Sequence, residues 1–238
     1  MHSVTLNALR DPAVHPPDDA SQPISRRALH LAVMDRLRRM ITEGMLPPGA
    51  HLNERALCEH LGVSRTPLRE ALKMLAVERL IELLPNRGAR VVMLSSSDIA
   101  DAFELLSGLE ALAGELACER ITQAEVDEIQ ELHGAMDACH ANGDLSGYFD
   151  CNQRIHDRIN AAARNPSLTQ MYQSVNGRLQ ALRFGSNLHA GKWERAIDEH
   201  VAMLDALHRR DGAALGRLLR AHLKAKCATV LANRRAAA

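Results

Sequence analysis

A chain of 238 residues, 46% apolar but only 3% aromatic, has room for one large or two modest domains, and its alanine and leucine content points to packed helices. The formal net charge is zero, yet residues 25–94 carry 12 Lys/Arg against 7 Asp/Glu, residues 95–238 carry 16 against 19, and residues 1–24 carry 1 against 3. That local positive excess suits a polyanion-binding surface. A membrane span is excluded by the lack of any apolar run near the roughly 18–20 residues required. Five scattered cysteines (Cys58, Cys118, Cys139, Cys151, Cys227) with no Cys-x-x-Cys exclude a disulfide framework and a thiolate zinc site. The first residues lack a basic stretch followed by an apolar core, so a soluble cytoplasmic protein is expected.

Residues 1–24 hold four of the nine prolines (Pro12, Pro16, Pro17, Pro23) and the acidic pair Asp18-Asp19, and they read as a disordered arm. Their negative charge argues against a minor-groove arm. Ser25 opens a helix over Arg26–Glu43, with Leu29, Val33, Leu37 and Ile41 on one face. Gly44 stops it, and Pro47-Pro48-Gly49 turns the chain into a second short helix, Leu52–Leu61, with Leu57 and Leu61 inward.

After the Gly62-Val63 turn, Ser64 is an N-cap residue type and Pro67 falls in the first turn of a third helix. Leu68, Leu72 and Leu75 form its buried stripe, while Arg65, Arg69 and Lys73 lie on another face, in water. A solvated charged face is the plain reading of one such helix alone. The short helix and turn before it make a helix-turn-helix, in which that cationic face enters a DNA groove. Leu80–Leu84 and Arg90–Met93 are short β-prone runs joined by Pro85-Asn86-Arg87-Gly88, a two-stranded wing with a cation at its tip.

A boundary falls near Leu94-Ser95-Ser96-Ser97-Asp98, and the remainder is helical. The first helix starts around Ser97 and runs to about Arg120, with Phe103, Leu106, Leu109, Leu112 and Leu116 as its stripe. Thr122-Gln123-Ala124-Glu125 has the form of a capping box for a second, to about Ala141. Asn142-Gly143-Asp144 precedes a third carrying Tyr148, Cys151, Ile155 and Ile159, and Asn165-Pro166-Ser167 a fourth reaching Asn187. Gly191-Lys192 opens a fifth, and Arg210-Asp211-Gly212 a sixth ending near Asn233. The predicted architecture is mainly α: a winged helix-turn-helix over residues 25–94, then an antiparallel six-helix bundle over 95–238.

Asn152 and His156 stand i, i+4 on one predicted helix, so they share a face, while His200 and His222 lie on the fifth and sixth helices. Three imidazoles and an amide oxygen converging from three helices suit a divalent metal with positions left open. From spacing alone, solvated or satisfied histidines remain the simpler reading of a chain with 12 of them.

The run from Gly44-Met45-Leu46-Pro47-Pro48-Gly49 through Val63–Leu72 to Pro85-Asn86-Arg87-Gly88-Ala89-Arg90-Val91 resembles the DNA-binding domain of the GntR family of bacterial transcription regulators. The resemblance implies DNA contacts from Arg55, Ser64, Arg65, Thr66, Arg69, Arg87 and Gly88, beside Lys73 on the cationic face. Arg79 stands where that family usually has Gly. Residues 95–238 resemble the all-helical FCD effector domain of its FadR-like branch, through Asn152/His156, Asn165-Pro166, Glu199-His200, Arg210-Asp211-Gly212 and His222. The resemblance implies a divalent transition metal, zinc or nickel foremost, on Asn152, His156, His200 and His222. Asn152 replaces the Asp of many members, and an amide holds a dication more weakly than a carboxylate does. The position that often holds Arg ahead of Leu109-Glu110 is Leu106 here.

The sequence therefore reads as a regulator, repressor or activator, and not as an enzyme. A homodimer would bind a near-palindromic operator and sense a small carboxylate in the metal pocket, with Arg178, Arg183 and Asn187 as effector-binding candidates. Two rivals belong to other classes. A His-metal hydrolase lacks His-Glu-x-x-His and an acid placed as base, and it leaves the winged helix without a role. An architectural DNA-binding dimer would bind neither metal nor effector.

Overall fold

The computed structural model describes residues 26–85, 87–187 and 192–236; the arm expected over residues 1–24 lies outside them, as do Asn86 and Gly191. The N-terminal part runs α1 (Arg26–Thr42), β1 (His51–Leu52), α2 (Glu54–Leu61), α3 (Arg65–Val77), β2 (Ile81–Leu84) and β3 (Gly88–Val91). Asn53 caps α2, accepting from the N–H groups of Arg55 and Ala56, so that helix begins at Glu54, two residues beyond the Leu52 expected to open it, and Leu52 belongs to β1. Gly62 then takes φ 65°, the left-handed conformation that lets the chain turn sharply into α3.

Val33, Leu37 and Ile41 of α1 close on Leu68, Leu72 and Leu75 of α3 and on Ile81, Ala89 and Val91 of the sheet. Leu29, expected on the same stripe, is exposed. The wing has three strands, not two, in the order β1-β3-β2. Its turn is also tighter than expected, because the antiparallel register pairs Leu84 with Gly88 and begins β3 two residues before Arg90. The extra strand is two residues long, His51 opposite Arg90 and Leu52 opposite Ala89, too short to carry an alternating pattern.

Arg79 ends α3 in a conformation suited to glycine. Its φ is 59°, its N–H donates to the Ala76 carbonyl, and the Leu80 N–H reaches the Leu75 carbonyl, which together make a Schellman ending. A side chain in this region costs about 1–2 kcal/mol, and glycine returns part of that as unfolded-chain entropy. Arg79→Gly should therefore stabilise the protein by about 0.5–1 kcal/mol, raising the melting temperature by roughly 1–4 °C. A lower melting temperature in calorimetry would show that the Arg79 side chain contributes more than its backbone costs.

The C-terminal part contains α4 (Ser96–Arg120), α5 (Gln123–Ala141), α6 (Leu145–Ala162), α7 (Pro166–Gly185), α8 (Lys192–His208) and α9 (Gly212–Ala236). Ser95 with Asp98 and Thr122 with Glu125 form reciprocal capping boxes that start α4 and α5. The buried face of α4 is Ile99, Phe103, Leu106, Glu110, Ala113 and Ala117, whereas Leu112, expected inside, is exposed. Helices α4 and α9 run antiparallel in close contact, since Glu115 lies against Gly212 and the Arg234 guanidinium donates to the Leu94 carbonyl. A Cβ on Gly216 would stand 3.1 Å from the Ala111 carbonyl, so glycine there sets how closely the two helices approach. His222 of α9 is then near enough to Glu110 of α4 to act on it electrostatically. No helix among the described residues is long and apolar enough to cross a membrane.

Candidate functional site

The first turn of α3 presents Ser64, Arg65 and Thr66 to solvent, and Arg69 and Lys73 follow on the same exposed side. Ser64 has extended backbone at the N-cap position, but its side chain makes no capping bond, so the hydroxyl is not committed to the helix. Several of the cations already hold a carboxylate. Arg69 bonds Glu54 across the turn at 2.9 Å, Arg55 bonds Glu59 at 3.0 Å, and Lys73 bonds Glu70 at 2.9 Å. These exposed pairs are weak, and a phosphate strand can exchange with them at little cost. Arg87 and Gly88 are exposed at the wing tip, Gly88 with φ 79° where the strand begins.

Inside the bundle, His156 of α6, His200 of α8 and His222 of α9 converge, with one ligand atom from each lying within 4.8 Å of the others. All three are buried, and Asn152 is buried one turn before His156. Ring centroids are 5.2 Å apart for His156–His200, 5.2 Å for His200–His222 and 5.5 Å for His156–His222. Imidazoles bound to a common ion at about 2.1 Å in tetrahedral directions have centres roughly 5 Å apart, so the spacing fits.

Two carboxylates fix the rings. Glu110 Oε2 is 2.7 Å from His156 Nδ1, and Glu199 Oε2 is 2.6 Å from His222 Nδ1. Each Nδ1 therefore donates, leaving the Nε2 lone pair aimed elsewhere, which is the carboxylate–histidine arrangement of metal sites. His156 Nε2, His222 Nε2 and both ring nitrogens of His200 are buried with no hydrogen-bond partner. Orphaned buried lone pairs are costly, and a cation is the group that satisfies one from each ring together.

Burial pushes His222 down to about 4 against the opposing pull of Glu199, and it holds His200 well below its usual value, with His222 and His156 adding to the effect. Both rings are thus neutral donors to metal at pH 7. Burial alone would raise Glu110, but His156, with Arg183 and His222, holds the carboxyl below its ordinary value.

Arg183, expected as an effector contact, is 1% exposed. Its Nη1 donates to Asn176 Oδ1 at 2.5 Å, while Nε and Nη2 have no partner. Asn176 donates in turn to the Tyr172 hydroxyl, and that hydroxyl donates to Asp157 Oδ1 at 2.8 Å. The guanidinium also acts electrostatically on Glu110 and His200, so its charge is felt within the histidine site. Asn187 is buried and accepts from Lys226, one turn beyond His222. Arg178 does not share this environment. It lines a small cavity at the seam with the wing, among Arg79, Leu80, Val91 and Arg234.

Three site residues escaped the sequence reading. Glu110 was readable as an acid on the inward stripe of α4. Glu199 was noted only as the neighbour of His200, although its partner is His222. His133, buried on α5, stands 5.4 Å from His200 between ring centroids.

Residues 29–91 match the family of bacterial regulatory proteins named for gntR, and residues 101–225 match the FCD domain family. The chain belongs to the GntR family, in its FCD-bearing branch. The transcriptional repressor RspR of Escherichia coli K12 is 25% identical over 205 residues, 86% of this chain and 87% of that one. An HTH-type regulator from the TAR-I ttuE-ttuC' intergenic region of Agrobacterium vitis is 31% identical over 159 residues, 66% of this chain and 93% of that one. The solved structure of E. coli McbR superposes with a TM-score of 0.79 at 24% identity, over 87% of this chain and 98% of that one, and shows the same fold. This GntR-type chain is accordingly a DNA-binding transcription regulator, and its FCD domain contains the histidine cluster.

Proposed function

We propose that this regulator responds to a small carboxylate held in a metal-containing pocket of residues 95–238, and that residues 25–94 carry the operator contacts. Arg55, Ser64, Arg65, Thr66, Arg69, Lys73, Arg87 and Gly88 make those contacts. His156, His200 and His222, with Asn152, hold a divalent transition metal. When bound, the ion supplies a Lewis-acidic centre to which a carboxylate can attach.

The observation that carries this reading is the charge arrangement of the buried site. Glu110 and Glu199, bonded to two of the rings, offset a dication. Arg183 then remains as a buried guanidinium with two nitrogens unpartnered, which calls for one more anion. Each acid holds a ring nitrogen through its Oε2.

The regulator acts as a homodimer on a near-palindromic operator, one protein two-fold matching one DNA two-fold. Leu105 and Leu112, two turns apart and exposed on α4, offer apolar surface for a second copy to cover. Effector binding shifts the relation of the two DNA-binding units.

The test is metal analysis of the purified protein, followed by thermal shift with a panel of small carboxylates. About one zinc or nickel per chain is expected, with a mass of two chains by light scattering. A stabilising acid at a hundred times its Kd adds about 2.7 kcal/mol. Arg183→Met should keep the ion and lose the response to acid. Protein that takes up no added zinc or nickel, and ignores every acid, overturns the sensing pocket.

A further inference from the structure

The three ligand rings are not held alike. His156 and His222 each have a carboxylate on Nδ1, but both nitrogens of His200 are unpartnered. A metal takes only one of them, so the other N–H remains buried without an acceptor, a cost of about 1–3 kcal/mol. The group standing against that ring is His133. Its centroid is 5.4 Å from that of His200, with the planes at 63°, and its own Nε2 is buried with no partner. An N–H···N bond of about 3 Å between two imidazoles puts their centres roughly 5 Å apart. The mutually facing ligand set is His156, His200 and His222, and it does not include His133.

Resting on the metal reading above, we propose that His133 is the outer-sphere partner of His200: its Nε2 accepts the hydrogen of the His200 nitrogen that is turned away from the ion. His133 is then a positioning residue, acting on the metal through His200. The orphaned nitrogens of both rings are satisfied by one bond, and His200 is fixed in one tautomer and orientation. The choice of an imidazole over a third carboxylate follows from charge. Glu110 and Glu199 already offset a dication and the buried Arg183 leaves one positive charge over, so a third acid would cancel that charge and remove the attraction for an incoming anion. A neutral acceptor keeps that charge for the effector.

The experiment compares zinc affinity, by competition with a chromophoric chelator, for the parent, His133→Phe, His133→Gln and His156→Gln. Phe keeps a ring of similar size but accepts no hydrogen bond, whereas Gln offers an amide oxygen. Zinc affinity should fall tenfold or more in His133→Phe and recover most of that in His133→Gln. In zinc-loaded parent protein with 15N-labelled histidine, a 15N–15N coupling across the His133–His200 hydrogen bond is expected. Phe affinity within twofold of the parent, or absence of that coupling, overturns the role of His133 while leaving the metal site standing. A parent protein that binds no zinc overturns both, and His156→Gln separates the cases because it removes an ion ligand without touching His133.

Discussion

Arg65→Ala is expected to reduce operator affinity by a hundredfold or more, and the double variant with Arg69→Ala to bring binding to the nonspecific level. Arg65 opens α3, exposed and free of the helix core, where the N-terminal residues of a recognition helix meet base edges. A bidentate Arg–guanine contact is worth about 1–3 kcal/mol of discrimination, and the phosphate attraction is lost with it. The fold should be unaffected, because Leu68, Leu72 and Leu75 hold the opposite face of α3 in the core. Arg69→Ala frees Glu54, an acid that would then face the DNA backbone, so its effect exceeds the loss of one cation. Lys73→Ala gives the contrast: a nearly uniform weakening on all sequences, with a salt slope shallower by about 1. The measurement is an electrophoretic shift on a site selected by the parent from random-sequence DNA, at several salt concentrations. Parent-like affinity and selectivity in Arg65→Ala would remove α3 from the role of reading helix.

How much of this was legible in the chain depends on the range over which each feature is encoded. The six bundle helices were readable because their signals are local: a capping pair at Thr122 and Glu125, Pro166 in a first turn, and glycine or asparagine at the breaks. The strand at His51–Leu52 was not readable, since it exists only through its pairing with Ala89 and Arg90 far along the chain. Leu112 was misplaced for a related reason. Leucine recurs through the middle turns of α4, at 105, 106, 109, 112 and 116, and only the packing of α6, α7 and α9 around that helix decides which of them turn inward. At the site, His156, His200 and His222 could be named from spacing and resemblance, whereas the partners of their rings could not. Glu110–His156 is separated by 46 residues and Glu199–His222 by 23, and nothing local specifies either bond. Leu106 illustrates the same limit. It packs with Phe103, Tyr172 and Leu223 at the position that often holds Arg in this family, and the buried guanidinium comes instead from Arg183 on α7.

His156→Ala is expected to lose the bound ion and the response to acid while DNA affinity stays within a few-fold of the parent. Two effects are combined in that variant, because His156 both faces the ligand cluster and donates to Glu110. Removing the ring leaves a buried carboxylate without its donor, and breaking a buried pair in this way costs about 3–5 kcal/mol. A fall in stability alone would therefore say nothing about metal. His156→Gln separates the two effects, since its amide N–H can still reach a carboxylate while its oxygen is a poor ligand for zinc or nickel. With the ion stripped by chelator, the glutamine variant should melt near the parent and the alanine variant well below it. With the ion supplied, the parent alone should gain stability, and both variants should show metal affinity lower by at least about a hundredfold. The difference between the variants in the metal-free state measures the Glu110 bond, and their shared failure to gain measures coordination. Parent-like metal uptake by His156→Gln would show that the ring is there to satisfy Glu110, and the pocket would then have to be read as an anion site built on Arg183.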